Sequence, residues 1–361
     1  MSNSKKNILF CPLNWGLGHA TRDVPIIKTL LQLEHNVIIG GDGLSIELLK
    51  NYFPKQKYIK IYSPSLKYGR KNSFSFLFYC YFARYVFSEI YEKIVLYKII
   101  KKHNIDVIFS DNRFGLFSNK IKTFFISHQL NVFLDVKQKK KSFLPSKVNT
   151  YFMKKFDFCL IPDIENKNFS LAGRLSENTE NINTFYIGAI SRFSKKSIIE
   201  ESKIKYKFLC ILSGPEPQRS ILENLLISKF QKSFFNILII RGLPNYCERK
   251  SKINNISFLN YCDDIELLNY FNISEKIICR SGYTSILDLA KIGRRAILIP
   301  TPKQPEQEFL AERMKNVHHF LKIKQNCILS TDFERVNYEQ IWNFDDNNID
   351  LRIFLNKILK L

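Results

Sequence analysis

The sequence predicts an α/β architecture of two doubly wound, Rossmann-like domains facing a central cleft. Three observations carry that reading. Short apolar runs alternate with helix-length segments along both halves of the chain. The runs are almost continuously apolar, as strands covered on both faces must be. With 361 residues, 45% of them apolar, the chain can fill about two cores at roughly 150 residues per domain. In the first half, Asn7–Cys11, Val37–Gly40, Ile105–Phe109 and Lys122–Ile126 read as buried strands. Helices near Asp23–Leu33, Leu44–Asn51 and Phe74–His103 separate them. In the second half the strands are Lys207–Leu212, Asn236–Ile240, Ile256–Leu259, Lys276–Cys279 and Ala296–Pro300. Helices near Pro217–Lys229, Ile265–Phe271, Tyr283–Ile292 and Pro305–Lys315 accompany them. Such repeats imply parallel sheets. The expected division is a first domain at 1–190, a Ser/Lys/Glu-rich linker at 191–205, a second domain at 206–345 and a last helix within 346–361 (near Asn347–Leu361). That helix is free to pack back on the first domain.

Lys and Arg number 55 against 33 Asp and Glu, a net charge of +22. That excess suits an acidic partner: nucleotide, phospholipid surface or nucleic acid. The richness in Lys, Asn, Ile, Phe and Tyr also fits an AT-rich genome, so part of the charge is compositional. The eight cysteines are scattered, without a C-x-x-C pair or zinc spacing, and most sit in apolar runs. Buried, reduced thiols of a cytosolic protein are expected. Met1–Lys6 leads into the first strand without a signal-peptide core, and no stretch has the ~18–20 apolar residues of a membrane span. A cytoplasmic location is the expectation, with peripheral attachment to the inner face of the membrane as an option.

Doubly wound sheets bind ligands where strands run into helices. The first such loop reads Pro12-Leu13-Asn14-Trp15-Gly16-Leu17-Gly18-His19-Ala20-Thr21-Arg22-Asp23. Gly16 and Gly18 allow a tight turn. His19, at the mouth of the helix, is either a general base or a loop cap. The dinucleotide fingerprint is incomplete, since its third glycine is missing. Asp111, in Ser110-Asp111-Asn112-Arg113, follows a buried strand and either orients His19 or closes a turn. In the second half, Ser213-Gly214 and Ser281-Gly282 stand at strand-to-helix junctions suited to phosphate. Asp288 lies six residues after Gly282, about 9 Å along a helix at ~1.5 Å per residue, within reach of a ribose. Glu306 and Gln307 offer a carboxylate and an amide to a polyol. Asp263-Asp264, before a helix, is a cap rather than a metal-binding pair.

Residues 256–311, and Cys279–Gln307 above all, resemble the donor-binding region of GT-B glycosyltransferases of the family-28 type. These include the N-acetylglucosaminyltransferases of the peptidoglycan lipid precursor and, more distantly, the UDP-glucuronosyltransferases. The order matches: Tyr261-Cys262-Asp263-Asp264 where uracil is read, then Arg280-Ser281-Gly282, an acidic ribose ligand, and a Pro-rich loop ending in Glu306-Gln307. Gly16-Leu17-Gly18-His19 resembles that family's N-terminal loop. Ser127-His128-Gln129-Leu130-Asn131 is similar to its His-Glu-Gln-Asn loop, and Gly188-Ala189-Ile190-Ser191-Arg192 to its Gly-Asn-Pro-x-Arg segment. The resemblance spans about residues 7–320 and implies a GT-B fold and a UDP-sugar donor, with no metal and no cofactor. Departures are Asp288 where the family usually has Glu, a Gly-Pro-Glu-Pro run after Ser213, and acceptor loops that hardly match.

The expected activity is inverting transfer of a sugar from a UDP-sugar to a hydroxyl on a lipid-linked or glycan acceptor. His19 and Asp111 are its catalytic pair. The donor contacts are Ser213, Gly214, Cys262, Arg280, Ser281, Gly282, Asp288, Glu306 and Gln307. The acceptor or phosphate side takes Gly16, Gly18, Arg22, Asn112, Arg113, His128, Gln129 and Arg192. The alternatives are a UDP-sugar 2-epimerase of the same fold and a non-catalytic nucleotide-sugar or polyanion-binding protein. The aromatic and basic stretch Leu66–Lys102, with Lys67, Arg70 and Lys71, is either core or a docking face for anionic lipid. No RNA-binding motif accompanies it, so nucleic acid is not an expected partner.

Overall fold

Strand β1 (Asn7–Cys11) shows how the first unit is built. Ile8 and Phe10 point to one face of the sheet, Leu9 and Cys11 to the other, and all of them are buried. Only helices on both sides can hide both faces. The computed structural model describes residues 5–14, 16–63, 74–133, 143–194, 203–214, 216–243, 250–345 and 349–361, with side chains left aside at 74–87 and 143–144. It divides into two units, one running to Arg192 and including Asp345–Leu361, the other Phe193–Phe344.

In the first unit β1 is followed by α1 (Leu17–Gln32), β2 (Asn36–Gly41), α2 (Gly43–Tyr52), β3 (Lys57–Lys60) and α3 (Phe74–His103). Then come β4 (Val107–Asp111), β5 (Lys122–Ile126), α4 (Phe143–Met153), β6 (Phe158–Ile161) and β7 (Thr184–Tyr186). The seven strands pair in parallel in the order β3-β2-β1-β4-β5-β6-β7. Register is marked by phenylalanine: Phe10 is paired with Phe109, Phe109 with Phe124 and Phe124 with Phe158. Their rings stack at centroid distances of 5.7, 4.8 and 5.8 Å. A one-residue slip would send every ring to the opposite face.

The second unit holds β8 (Tyr206–Ile211), α5 (Gln218–Phe230), β9 (Ile237–Ile240), β10 (Lys250–Ile253), β11 (Ile256–Leu259), α6 (Asp264–Asn272) and β12 (Ser274–Cys279). It continues with α7 (Tyr283–Ile292), β13 (Ile297–Leu298), α8 (Pro305–His318) and β14 (Leu321–Lys322). Its order is β10-β11-β9-β8-β12-β13-β14. Phe208 of β8 anchors the core against Phe230 and Phe333. The chain then returns to the first unit as α9 (Leu351–Ile358). There Leu355, Ile358 and Leu359 join the cluster of Ile8 and Phe10, and Phe354 meets Phe185.

The α/β class is as the sequence predicts, and several details differ. β3, β6, β7, β10, β14 and α4 were not expected. β10 runs antiparallel to β11 through a turn in which Asn254 takes a left-handed φ of 53°. β4 starts at Val107 and ends at Asp111, which carries the strand to the aspartate itself. The last helix starts at Leu351, because the Asp350 carboxylate accepts from Arg352 N and Ile353 N and caps it there. Lys67, Arg70 and Lys71 lie outside the described residues, as does 195–202 of the expected linker.

Strand order reverses beside β1 and β4 in the first sheet and beside β8 and β12 in the second. Loops leaving those carboxyl ends diverge, which is where ligands bind in such sheets. Phe124, fully buried in the middle of the ring ladder, tests the packing. Phe124→Ala should destabilise the protein by about 3–5 kcal/mol in urea denaturation. A loss below ~1 kcal/mol would show that the ladder closes over the gap.

Candidate active site

Gly16 ends the first loop with φ 73°, a left-handed turn that glycine adopts without penalty, and α1 begins at the next residue. His19, Arg22 and Asp23 are spaced i, i+3 and i+4, so they share one helical face. Across the strand reversal, β4 delivers Asp111, which is fully buried. His19 Nδ1 lies 2.8 Å from Asp111 Oδ2. A carboxylate only accepts, so this contact places the hydrogen on Nδ1 and leaves Nε2 with its lone pair. Arg22 donates through Nη2 to Asp111 Oδ1. Its Nη1 reaches His128 Nδ1 at 2.8 Å; Nη2 also lies 2.9 Å from His19 Nδ1, which with the hydrogen on Nδ1 is an approach of two donors that share Asp111 and not a hydrogen bond. Asn112 Nδ2 adds a bond to Asp111 Oδ1 at 3.2 Å. Burial by itself would push the Asp111 carboxyl up. The charges and hydrogen bonds of Arg22 and His19 outweigh it and hold Asp111 below the usual carboxylate range.

The structure therefore gathers His19, Arg22, Asp111, Asn112 and His128 at one carboxyl end of the first sheet. His19 retains 15% side-chain exposure, whereas Arg22 has 2%. Arg22 is thus committed to the cluster instead of facing an acceptor. Arg113 is also internal: Nε bonds Glu92 Oε1 at 2.8 Å and Nη2 bonds the Tyr62 carbonyl. It braces α3 against the β4 loop, which corrects the expectation of a ligand contact. Gln129 is fixed through its backbone, its N–H donating to Ser127 Oγ at 3.0 Å. Gly18 lies in the first turn of α1, and Arg192 ends the unit's main segment, half-buried. Asp23, a fully buried carboxyl one turn beyond His19, was not singled out in the sequence. Its signal was the spacing His-x-x-Arg-Asp on a helix.

In the second unit the switch-point loops follow β8 and β12. Ser213 and Gly214 are exposed, and Gly214 takes φ 96°. The start of α5 is occupied by Glu216, whose carboxylate accepts from Arg219 Nε at 2.7 Å and Ser220 N at 3.3 Å. By contrast, α7 has no side-chain cap and no acidic residue in its first turn. Gly282 precedes it, and a Cβ there would meet only Ser285 Oγ, at 4.0 Å. An uncapped helix start without bulk in front of it suits an anion.

The residues just before Gly282 serve the fold. Arg280 is fully buried and donates to the carbonyls of Ile299, Pro300 and Gln218. Burial pulls its guanidinium down to about 10. Its expected place on a diphosphate is therefore corrected: it ties two loops together. Ser281 Oγ donates to the Gln307 carbonyl at 2.7 Å, and Gln307 Oε1 accepts from Thr301 N at 2.9 Å. Both hold the Pro-rich loop. Asp288 is 6% exposed on α7, Cys262 is buried, and Glu306 is half-buried at the start of α8. Asp263 is a helix cap, in a reciprocal capping box with Glu266.

Residues 210–340 match the family described as Glycosyltransferase family 28 C-terminal domain. No curated protein sequence matches the chain. Solved structures similar to it include Acinetobacter baumannii MurG, at TM-score 0.51 and 14% identity, over 90% of this chain and 89% of that one. Arabidopsis thaliana UGT89C1 complexed with UDP-L-rhamnose gives 0.55 and 10%, over 99% and 94%. The spinosyn rhamnosyltransferase SpnG complexed with thymidine diphosphate gives 0.59 and 11%, over 98% and 96%. The family match and this fold support sugar transfer. The chain has the GT-B glycosyltransferase fold, and its residues 210–340 carry the family-28 C-terminal pattern.

Proposed function

We propose that this protein is a metal-independent glycosyltransferase that moves a sugar from a UDP-sugar to an acceptor hydroxyl with inversion. The observation that carries the reading is the His19 Nδ1 to Asp111 Oδ2 contact of 2.8 Å at the strand reversal. With Nδ1 donating to Asp111, Nε2 is free to take the acceptor's hydroxyl proton. The oxygen then attacks the anomeric carbon, and the bond from that carbon to UDP breaks, UDP leaving with the electron pair. Asp111 faces the imidazolium as it forms. The second unit supplies the donor site in this reading. The open start of α7 at Gly282 receives the diphosphate, and Asp288 and Glu306 stand on the two helices that follow the donor loops. The pyrimidine diphosphates bound by UGT89C1 and SpnG favour a donor of that type. Arg280 is given no part in stabilising the leaving group.

We infer in addition that the protein works at an anionic membrane surface, on an acceptor carried by lipid. Among the described residues no helix is long and apolar enough to cross a membrane. The second half of α3 exposes Ile90, Tyr91, Ile94 and Tyr97, each by more than 40%. Ile90, Ile94 and Tyr97 follow i, i+4, i+7 spacing, and the exposed Lys93, Lys98, Lys101 and Lys102 surround them. Lysines around an apolar stripe suit lipid head groups above and acyl chains below.

Two experiments test these readings. His19→Ala should cut transfer by ~10²–10⁴-fold while UDP binding, read by thermal stabilisation, stays unchanged. Near-normal turnover, or equal stabilisation of the native protein by UDP, ATP and GTP, would overturn the assignment. The native protein should also sediment with phosphatidylglycerol vesicles and detach as salt rises. Changing Lys93, Lys98 and Lys101 together to Glu should abolish that sedimentation with the fold intact. Absence of vesicle binding by the native protein at low salt would remove the membrane from the account.

A further inference from the structure

Asp23 sits one helical turn beyond His19 and is fully buried. Among the described residues, neither of its carboxyl oxygens meets a hydrogen-bond donor. The groups that face it are Asp111 from β4, Arg22 from its own helix and the Cys11 thiol from β1. His19 and His128 join the same cluster through Asp111 and Arg22. Two ionised carboxylates side by side are both acceptors, so nothing bonds them and their charges repel. One guanidinium would also have to balance two buried negative charges. A single proton between the carboxyls removes both difficulties. Asp111 already has Arg22, His19 and Asn112 to stabilise its negative form, so the proton belongs on Asp23.

We propose that Asp23 is a neutral carboxylic acid that donates its hydrogen to the Asp111 carboxylate, and that it is a positioning residue for the His19–Asp111 pair. The second half of this rests on His19 acting as the base. With Asp23 protonated, Arg22 and Asp111 balance each other. An ionised Asp23 would draw Arg22 away and push Asp111 from His19. Burial first, and then the neighbouring Asp111, raise the Asp23 carboxyl well above its ordinary range, with Arg22 offsetting part of the rise.

The proton is tested without any substrate. An acid raised in the folded state contributes stability that is complete below its unfolded value and lost as pH rises towards its folded one. The folding equilibrium of the native protein should therefore fall relative to Asp23→Asn by about tenfold per pH unit above the ordinary carboxylate range. Urea denaturation at a series of pH values reads this. Parallel curves for the two proteins would overturn the proposal, whatever His19→Ala does. Positioning is tested by turnover. The Asp23→Asn carboxamide still donates to Asp111 and should hold kcat within about threefold of native. Asp23→Leu has no donor and should lower kcat roughly tenfold or more, with the KM for donor unchanged. Equal kcat in the two variants would overturn the positioning role. Should Asp23→Leu fail to fold, a kcat loss of more than about tenfold in Asp23→Asn would overturn it instead. Failure of the base assignment shows separately, as full turnover in His19→Ala alongside an unchanged pH result for Asp23.

Discussion

A carboxylate without access to water, at the end of a strand, sets the conditions for everything around it in the first unit. Asp111 cannot be hydrated, so its charge has to be met by side chains, and the structure meets it with Arg22, His19 and Asn112. Those contacts fix α1 against β4 at one rotation and one height, since residues 19 and 22 must both point at the same carboxyl. Gly16 then has to bring the chain out of β1 and into α1 within a few residues. Loss of Arg22 would leave Asp111 as an unmatched buried charge, so the ion pair and the imidazole contact hold each other in place.

The second unit solves a different problem by similar means. Its switch-point loop before α7 leaves backbone N–H groups open without side chains filling the space in front of them. Arg280, Ser281 and Gln307 all turn inward and bond carbonyls or amides of neighbouring loops. Gly282 is left at the surface of that construction. Around β8 and β9, Glu223 links Arg219 and Arg241, and Arg241 continues to Asn260. The loop ends are thereby joined through ion pairs shielded from solvent instead of through the exposed Ser213-Gly214 backbone.

Much of this was legible in the sequence, for identifiable reasons. Central strands such as Asn7–Cys11 and Lys207–Leu212 are buried on both faces, so they appear as apolar runs. Edge strands are not: Lys57–Lys60 and Lys250–Ile253 are short and carry lysine, which hides them among loops. Strand-end position singled out His19, Asp111 and the Gly282 turn as candidates, and the structure brings His19 against Asp111. The surroundings of Arg113 and Arg280 were not legible, because an arginine after a strand reads the same whether it meets a phosphate, a carboxylate or a carbonyl. Which of these it meets depends on segments distant in sequence, Glu92 for one and Ile299 for the other. The helical spacing put Asp23 on the face of His19, but its partner was hidden for the same reason, since Asp111 is 88 positions away.

The helix Leu351–Ile358 lies beyond the whole second unit in sequence, yet its apolar face belongs to the first unit's core. During synthesis the first sheet therefore emerges with the surface around Phe185 still uncovered, and it waits through the translation of Phe193–Phe344 for Phe354 to arrive. The main segment of the second unit, Phe193–Phe344, has no such wait for a later helix. Order of completion on the ribosome is consequently the reverse of order along the chain: the half that begins first closes last.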